Sequence, residues 1–186
     1  MPLPPPTVSR ALVHTRRLRF EGYRRADGLW DIDAHLTDIK PTEFRLSSGV
    51  RPAGLPVHDM WLRLTITRDL QVVDAVALTE AMPYPPFCSA ATPDYRKLIG
   101  LNLRQGFRKA VQQRFHDVAG CKHLNEMLAQ FPTAAIQTMA GETVDNHDDG
   151  TKPFQLDRCM ALDTHRGEAV RKYYPKWFRG TKTEAV

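Results

Sequence analysis

Hydrophobic and polar residues alternate strictly between residues 30 and 37, and this alternation constrains the fold more than any other feature of the sequence. The apolar members are Trp30, Ile32, Ala34 and Leu36. A period of two is typical of a β-strand with one face against a core. Leu18 and Phe20 show the same spacing upstream, and residues 25–28 contain the Asp-Gly pair of a turn. The pattern therefore predicts a β-hairpin over residues 11–38.

A second hairpin is predicted further along the chain. Residues 46–56 are rich in serine, glycine and proline, which indicates a loop. Residues 60–66 alternate again, residues 68–69 supply a turn, and the β-branched residues of the segment 72–79 are typical of the returning strand. The first half of the chain is thus predicted to hold four antiparallel strands.

Helical signals follow the second hairpin. Thr92 can cap a helix that begins at Pro93, and apolar residues recur at helical spacing as far as Phe115. A second helix is predicted from about Cys121, and Pro132 either kinks it or begins another turn. The predicted class is α+β, with an antiparallel sheet of about four strands followed by two or three helices packed on one face.

Three parts are predicted along the 186 residues, a length that suits one main domain. Residues 1–10 contain four prolines and no hydrophobic period, so an extended arm is expected. Residues 11–140 hold the predicted strands and helices and form the α+β core domain. Residues 141–186 begin with a polar, acidic loop and end in an aromatic segment, which is expected to pack on the core.

Composition narrows the class of protein. No stretch approaches the roughly 18 uncharged apolar residues of a membrane helix, so no membrane association is expected. The N-terminus lacks the pattern of a secretory signal, which favours a cytoplasmic location with reduced thiols. The formal net charge is +5, but basic residues are interspersed with acidic ones, so nucleic-acid binding is not indicated. The oligomeric state is left open.

Cys121 and His123 form the sharpest chemical signal. They lie two positions apart at a predicted helix start, where unpaired backbone N–H groups and the neighbouring Lys122 favour a thiolate. A thiolate is both the metal-binding form and the nucleophilic form of cysteine. The pair is therefore a candidate site, and a purely structural capping role is the alternative.

Three further residues could join this pair. Cys88 lies on a proline-rich loop after the second hairpin, whereas His58 and Asp59 stand just before the third strand, at the same predicted end of the sheet. A tetrahedral set of sulfur, nitrogen and oxygen donors would satisfy zinc or iron. The predicted metal ligands are Cys88, Cys121, His123, and His58 or Asp59. Cys159 could supply a missing ligand, and burial as a small hydrophobic residue is the alternative for the cysteines.

The common catalytic motifs are absent from the sequence, including the nucleophile elbow, the P-loop, the dinucleotide glycine fingerprint, H-E-x-x-H and C-x-x-C. The readily recognised hydrolases, NTPases, oxidoreductases and zincins are thereby excluded. Segments 58–65, 81–88 and 120–124 resemble an uncharacterised bacterial domain-of-unknown-function family over most of the chain. That resemblance implies no activity.

A weaker resemblance is to the U-type iron–sulfur cluster scaffold proteins. Their aspartate before a strand, cysteine on the next loop and His-Cys pair at a late helix look like Asp59, Cys88 and Cys121. His58 stands where the scaffold has its first cysteine, and the late pair is separated here by one residue. The resemblance, with this altered ligand set, implies a single zinc or iron ion, or a thiol that accepts sulfur.

Three functions are weighed on this basis. The leading hypothesis is a metal-binding or iron–sulfur-scaffold-like accessory protein that assists the maturation of another enzyme, and therefore has a protein partner. The second is a cysteine-dependent sulfur or acyl transferase, with Cys121 as nucleophile and His123 or His58 as its base. The third is a non-catalytic protein-interaction domain that docks a partner through its basic helix and aromatic tail.

Overall fold

The computed structural model describes residues 3–142 and 150–180. The chain divides into two compact units, residues 1–139 and residues 140–186. The strands of the first unit are β1 (Thr15–Arg24), β2 (Trp30–Ile39), β3 (Phe44–Leu46), β4 (Gly49–Arg51), β5 (Pro56–Ile66) and β6 (Val72–Ala81). Residues 3–10 precede these strands and are exposed, without helix or strand.

The four long strands form one antiparallel sheet in the order β1-β2-β5-β6. Both predicted hairpins are present, because each pair of alternating segments is joined by a short turn that brings the strands side by side. The segment predicted as a loop differs from expectation, since β4 lies within it and pairs with β3, which ends at the start of that segment, as a separate two-stranded hairpin. Each of these two strands is only three residues long, which is too short to show a hydrophobic period in the sequence.

One face of the sheet carries the core. The even-numbered residues of β2 and those of β5 from Met60 onward are buried on this face, and even-numbered residues of the two strands pair with each other. This helix-facing side includes Ile32, Ala34, Leu36, Met60, Leu62 and Leu64. The opposite, open face carries the charged and polar residues that alternate with them. The period of two in the sequence therefore fixes which side chains can face the helices.

The helices of the first unit are α1 (Phe107–Arg114), α2 (Lys122–Leu128) and α3 (Phe131–Thr138). The helix predicted from Pro93 to Phe115 is interrupted: 3-10 turns run over Phe87–Leu98, and α1 begins only after Gly106. Gly100 and Gly106 both adopt positive φ, which a regular helix does not allow, so the helical path is broken over residues 100–106. Both α2 and α3 pack on β2, with β5 and β1 as further neighbours. The α+β class predicted from the sequence is confirmed.

The second unit has its own small core. Leu156, Val170 and Tyr174 form its buried hydrophobic cluster, and among its described residues α4 (Glu168–Tyr173) lies between 3-10 turns at Met160–Leu162 and Pro175–Trp177. Its packing on the core domain stays a prediction.

Among the described residues of the chain, helices long and apolar enough to cross a membrane are absent.

Candidate metal centre

A row of three polar side chains crosses the helix-facing side of the sheet at one end. Arg16 of β1 pairs in register with Asp38 of β2, and Asp38 pairs with His58 of β5. The adjacent row, formed by Leu18, Leu36 and Met60, belongs to the core or packs against it. The polar row therefore lies where the apolar face of the sheet ends, directly beside the hydrophobic core.

Asp38 is the centre of this row, and it is buried. Its two carboxylate oxygens accept hydrogen bonds from Arg16 Nε and Nη2, both at 2.8 Å, from His14 Nε2 at 2.8 Å and from His58 Nδ1 at 2.9 Å. Burial alone would raise the pKa of Asp38, but the bonds from Arg16, His14 and His58 lower it to about 2. Asp38 is thus a buried, ionised carboxylate.

Helix α2 brings a second imidazole to the row. The ring centroids of His123 and His58 lie 4.0 Å apart, with an angle of 35° between the ring planes. One potential ligand atom from each of Asp38, His58 and His123 lies within 4.8 Å of the others. Cys121, at the N-cap of α2, places its Sγ 4.0 Å from Nδ1 of His123. Two imidazoles, a carboxylate and a nearby thiol therefore converge at this end of the sheet.

Both imidazoles are held in the form that binds metals. Burial is the main cause that lowers the pKa of His58 and of His123 below the ordinary value of 6.5. The positive charge of Arg16 acts in the same direction on both rings. Because Nδ1 of His58 faces an ionised oxygen of Asp38, its proton lies on Nδ1 and the lone pair on Nε2.

A buried tyrosine positions the start of α2. The Tyr95 hydroxyl accepts the backbone N–H of Cys121 at 3.0 Å and donates to Asn125 Oδ1 at 2.7 Å. Burial raises the pKa of Tyr95, so its hydroxyl keeps the proton that it donates. The Asn125 amide in turn donates to the carbonyl oxygen of Phe115 at 2.8 Å. This network ties the first turn of α2 both to the 3-10 segment that precedes α1 and to the C-terminal end of α1.

Removal of the Tyr95 hydroxyl should destabilise the domain. In Tyr95→Phe, the Cys121 N–H and the Asn125 oxygen lose their partner in a partly buried environment, which costs about 1–3 kcal/mol in the free energy of unfolding. Urea denaturation measures the change. Tyr173→Phe is the matched control, because the Tyr173 side chain is 62% exposed, and its effect should stay within about 0.5 kcal/mol. Equal effects of the two substitutions would contradict this role of Tyr95.

The donor set fits a d-block ion. Two neutral imidazoles and one carboxylate are nitrogen and oxygen donors that zinc and iron accept, and a thiolate would extend the set. Ligand atoms around a tetrahedral zinc ion lie about 3.4 Å apart. The three potential ligand atoms lie within 4.8 Å of one another, so they would have to approach by at most roughly 1.4 Å to share one tetrahedral ion.

The predicted ligands do not all meet. His58 and His123 are brought together, and Cys121 lies beside His123 but outside the described group of potential metal ligands. Asp59 instead projects from the open face, where its Oδ1 lies 2.6 Å from His35 Nε2, because neighbouring residues of a strand face opposite sides. Cys88 is half-buried in the 3-10 segment and does not belong to the described group of potential metal ligands. Cys159 is exposed in the second unit.

Asp38, His14 and Arg16 were not predicted as site residues. A signal for Asp38 was present, because the alternation that begins at Trp30 places residue 38 on the same face as Leu36. A carboxylate at a core-facing position requires partners, and such a position is a functional-site candidate. Arg16 lies on β1 opposite Asp38, and His14 immediately precedes β1. His147, for which no site role was predicted, lies outside the described residues.

Comparison with known proteins gives one match. A family model described as "Protein of unknown function (DUF2889)" matches residues 14–137, a range that contains every residue of the candidate metal centre. No curated protein and no solved structure matches the chain, so the resemblance to iron–sulfur scaffolds and a bacterial origin gain no support. Because the family model covers well over half of the sequence, the chain belongs to the DUF2889 family of proteins of unknown function.

Proposed function

We propose that this domain binds a single divalent d-block ion, zinc or iron, through His58, His123 and Asp38, with Cys121 as an additional donor. One observation carries the proposal: ligand atoms of two imidazoles and a buried carboxylate lie within 4.8 Å of one another. The lowered pKa values of both histidines support it, because neutral imidazole is the ligand form. The ionised state of Asp38 supplies the negative charge that a divalent cation requires.

We further propose an accessory role, in which the bound ion is held for another protein in the cytoplasm. The exposure of the site supports exchange, since the side chains of His14 and Arg16 beside Asp38 are about two-fifths exposed. A single ion suits the donors better than a cluster. Iron–sulfur clusters are held mainly by several thiolates, and among the described side chains of this site the sulfur donor is Cys121 alone.

Titration with metal tests the proposal. Full-length protein freed of metal by a chelator is expected to bind one equivalent of Zn²⁺, measured by competition with a chromophoric chelator. Co²⁺ in place of zinc should give the visible absorption of a tetrahedral ion and the near-ultraviolet band of a cobalt–thiolate bond. Cys121→Ser should remove the thiolate band and keep the visible absorption, because the imidazole and carboxylate donors remain. Cys159→Ser is the control, since that thiol is exposed in the second unit.

A second candidate function shares the same residues. His123 Nδ1 lies 4.0 Å from Cys121 Sγ, which also suits a nucleophilic thiol and its base. Failure to bind Zn²⁺ or Co²⁺, together with rapid alkylation of Cys121 by iodoacetamide at neutral pH, would overturn the metal proposal in favour of this transferase hypothesis. Failure to bind either ion, with slow alkylation, would overturn both.

A further inference from the structure

Arg16 lies where a cation would bind Asp38. Its Nε and Nη2 groups each donate a 2.8 Å hydrogen bond to a different oxygen of the Asp38 carboxylate. His14 and His58 each take one further position on these oxygens. A carboxylate has about four lone-pair positions, so the acceptor capacity of Asp38 is filled by the protein itself. A metal ion can bind Asp38 only if one of these donors leaves.

Arg16 also has a second carboxylate within reach. Its Nη1 donates to Glu126 Oε2 at 2.7 Å, while the other two guanidinium nitrogens hold Asp38. Glu126 lies on α2 three residues after His123, and residues with this spacing share one face of a helix. The helix that supplies a metal-binding imidazole therefore also supplies an alternative partner for the arginine. Arg16 can leave Asp38 and keep a salt bridge.

We propose that Arg16 is the internal counter-ion of Asp38, that a bound metal ion displaces it, and that Glu126 receives it. The inference rests on the proposed metal-binding function and adds how metal binding is regulated, through competition between Arg16 and the ion for Asp38. In the metal-free protein, Arg16 neutralises the buried carboxylate. In the metal-bound protein, the ion takes over that charge and Arg16 pairs with Glu126 alone. Metal affinity is thereby lowered to a level at which the ion can be exchanged.

The opposing charges explain why Arg16 and a metal ion exclude each other. A guanidinium that chelates both oxygens of Asp38 would sit within a few ångströms of a divalent cation on the same carboxylate. Repulsion between like charges at that separation is strong in a partly buried site. Of the Asp38 partners, arginine is the one that stays charged at any ordinary pH. Arg16 is thus the donor that must move.

Zinc affinity of two matched variants tests the proposal. Arg16→Gln removes the competing cation and should raise the affinity of the full-length protein for Zn²⁺ about tenfold. Arg17→Gln makes the same change of charge at the next residue of β1, whose side chain projects from the open face of the sheet. Its effect should stay below about twofold. Chelator competition measures both, and circular dichroism checks that each variant is folded.

A double-mutant cycle with Glu126 tests the transfer itself. Glu126→Gln removes the acceptor, so it should weaken Zn²⁺ binding about fivefold in the wild-type background. In the Arg16→Gln background the same substitution should change the affinity for Zn²⁺ by less than about twofold, because the arginine that would pair with Glu126 is absent. If Arg16→Gln does not fold, the single Glu126→Gln variant still decides, since unchanged zinc affinity would overturn the transfer.

The outcomes separate this inference from the proposed function. Wild-type binding of one zinc ion, with Arg16→Gln equal to wild type or weaker, would overturn the counter-ion role and leave the metal site intact. Zinc binding by Arg16→Gln that is absent from the wild type would support the counter-ion role in its strongest form. Absence of binding in both proteins would overturn both proposals.

Discussion

His123→Ala is expected to weaken Zn²⁺ binding by about 100-fold or more. Loss of a residue that only supports a metal ligand already costs roughly 10- to 100-fold in affinity, so loss of a direct ligand should cost at least the upper value. The site would keep His58, Asp38 and the additional donor Cys121, one ligand fewer than a closed tetrahedral site holds. Isothermal titration calorimetry and chelator competition on the full-length protein measure the affinity.

His116→Ala is the control for this substitution. His116 lies in the connection between α1 and α2, and its side chain is 62% exposed, so zinc affinity should be unchanged. The fold should survive both changes, because His123 is only partly buried and its neutral ring lies against another imidazole rather than in the apolar core. Zinc binding by His123→Ala at wild-type strength would place the ion elsewhere and remove the candidate site.

The sheet was predictable from the sequence because its signal is local. Three of the long strands show alternation and the fourth, β6, is rich in β-branched residues, and each hairpin turn lies between two such segments, so residues a few positions apart contain the information. The helical half was less predictable. An apolar period runs from Thr92 to Phe115, but Gly100 and Gly106 adopt left-handed φ and break it into 3-10 turns and α1. Tertiary contacts decide which glycines end a helix.

The site was only partly predictable, for two physical reasons. His58 and Asp59 were interchangeable candidates in the sequence, yet a strand sends neighbouring side chains to opposite faces, so only one of them can join α2. Asp38 continues the buried period of β2 and could have been found from that period alone. The link between Arg16 and Glu126 spans 110 residues, and local spacing contains no signal for such a contact.

Phe131→Ala is expected to lower the free energy of unfolding by about 3–5 kcal/mol, the range for a buried phenylalanine replaced by alanine. Phe131 is fully buried at the start of α3. Its ring meets the ring of Phe20 on β1 edge to face, with centroids 5.2 Å apart. The substitution removes this contact and leaves a cavity between the helices and the sheet. Guanidinium denaturation of the full-length protein measures the change.

The matched control is Phe87→Ala, because the Phe87 side chain is 79% exposed and the chemical change is identical. Its effect should stay within about 0.5 kcal/mol. The contrast isolates burial, since both substitutions remove the same atoms and only one leaves a cavity. A loss below about 1 kcal/mol in Phe131→Ala would mean that α3 does not pack on β1 as described. The placement of α2 beside His58, on which the metal site depends, would then lose its support, because α3 begins only three residues after α2 ends.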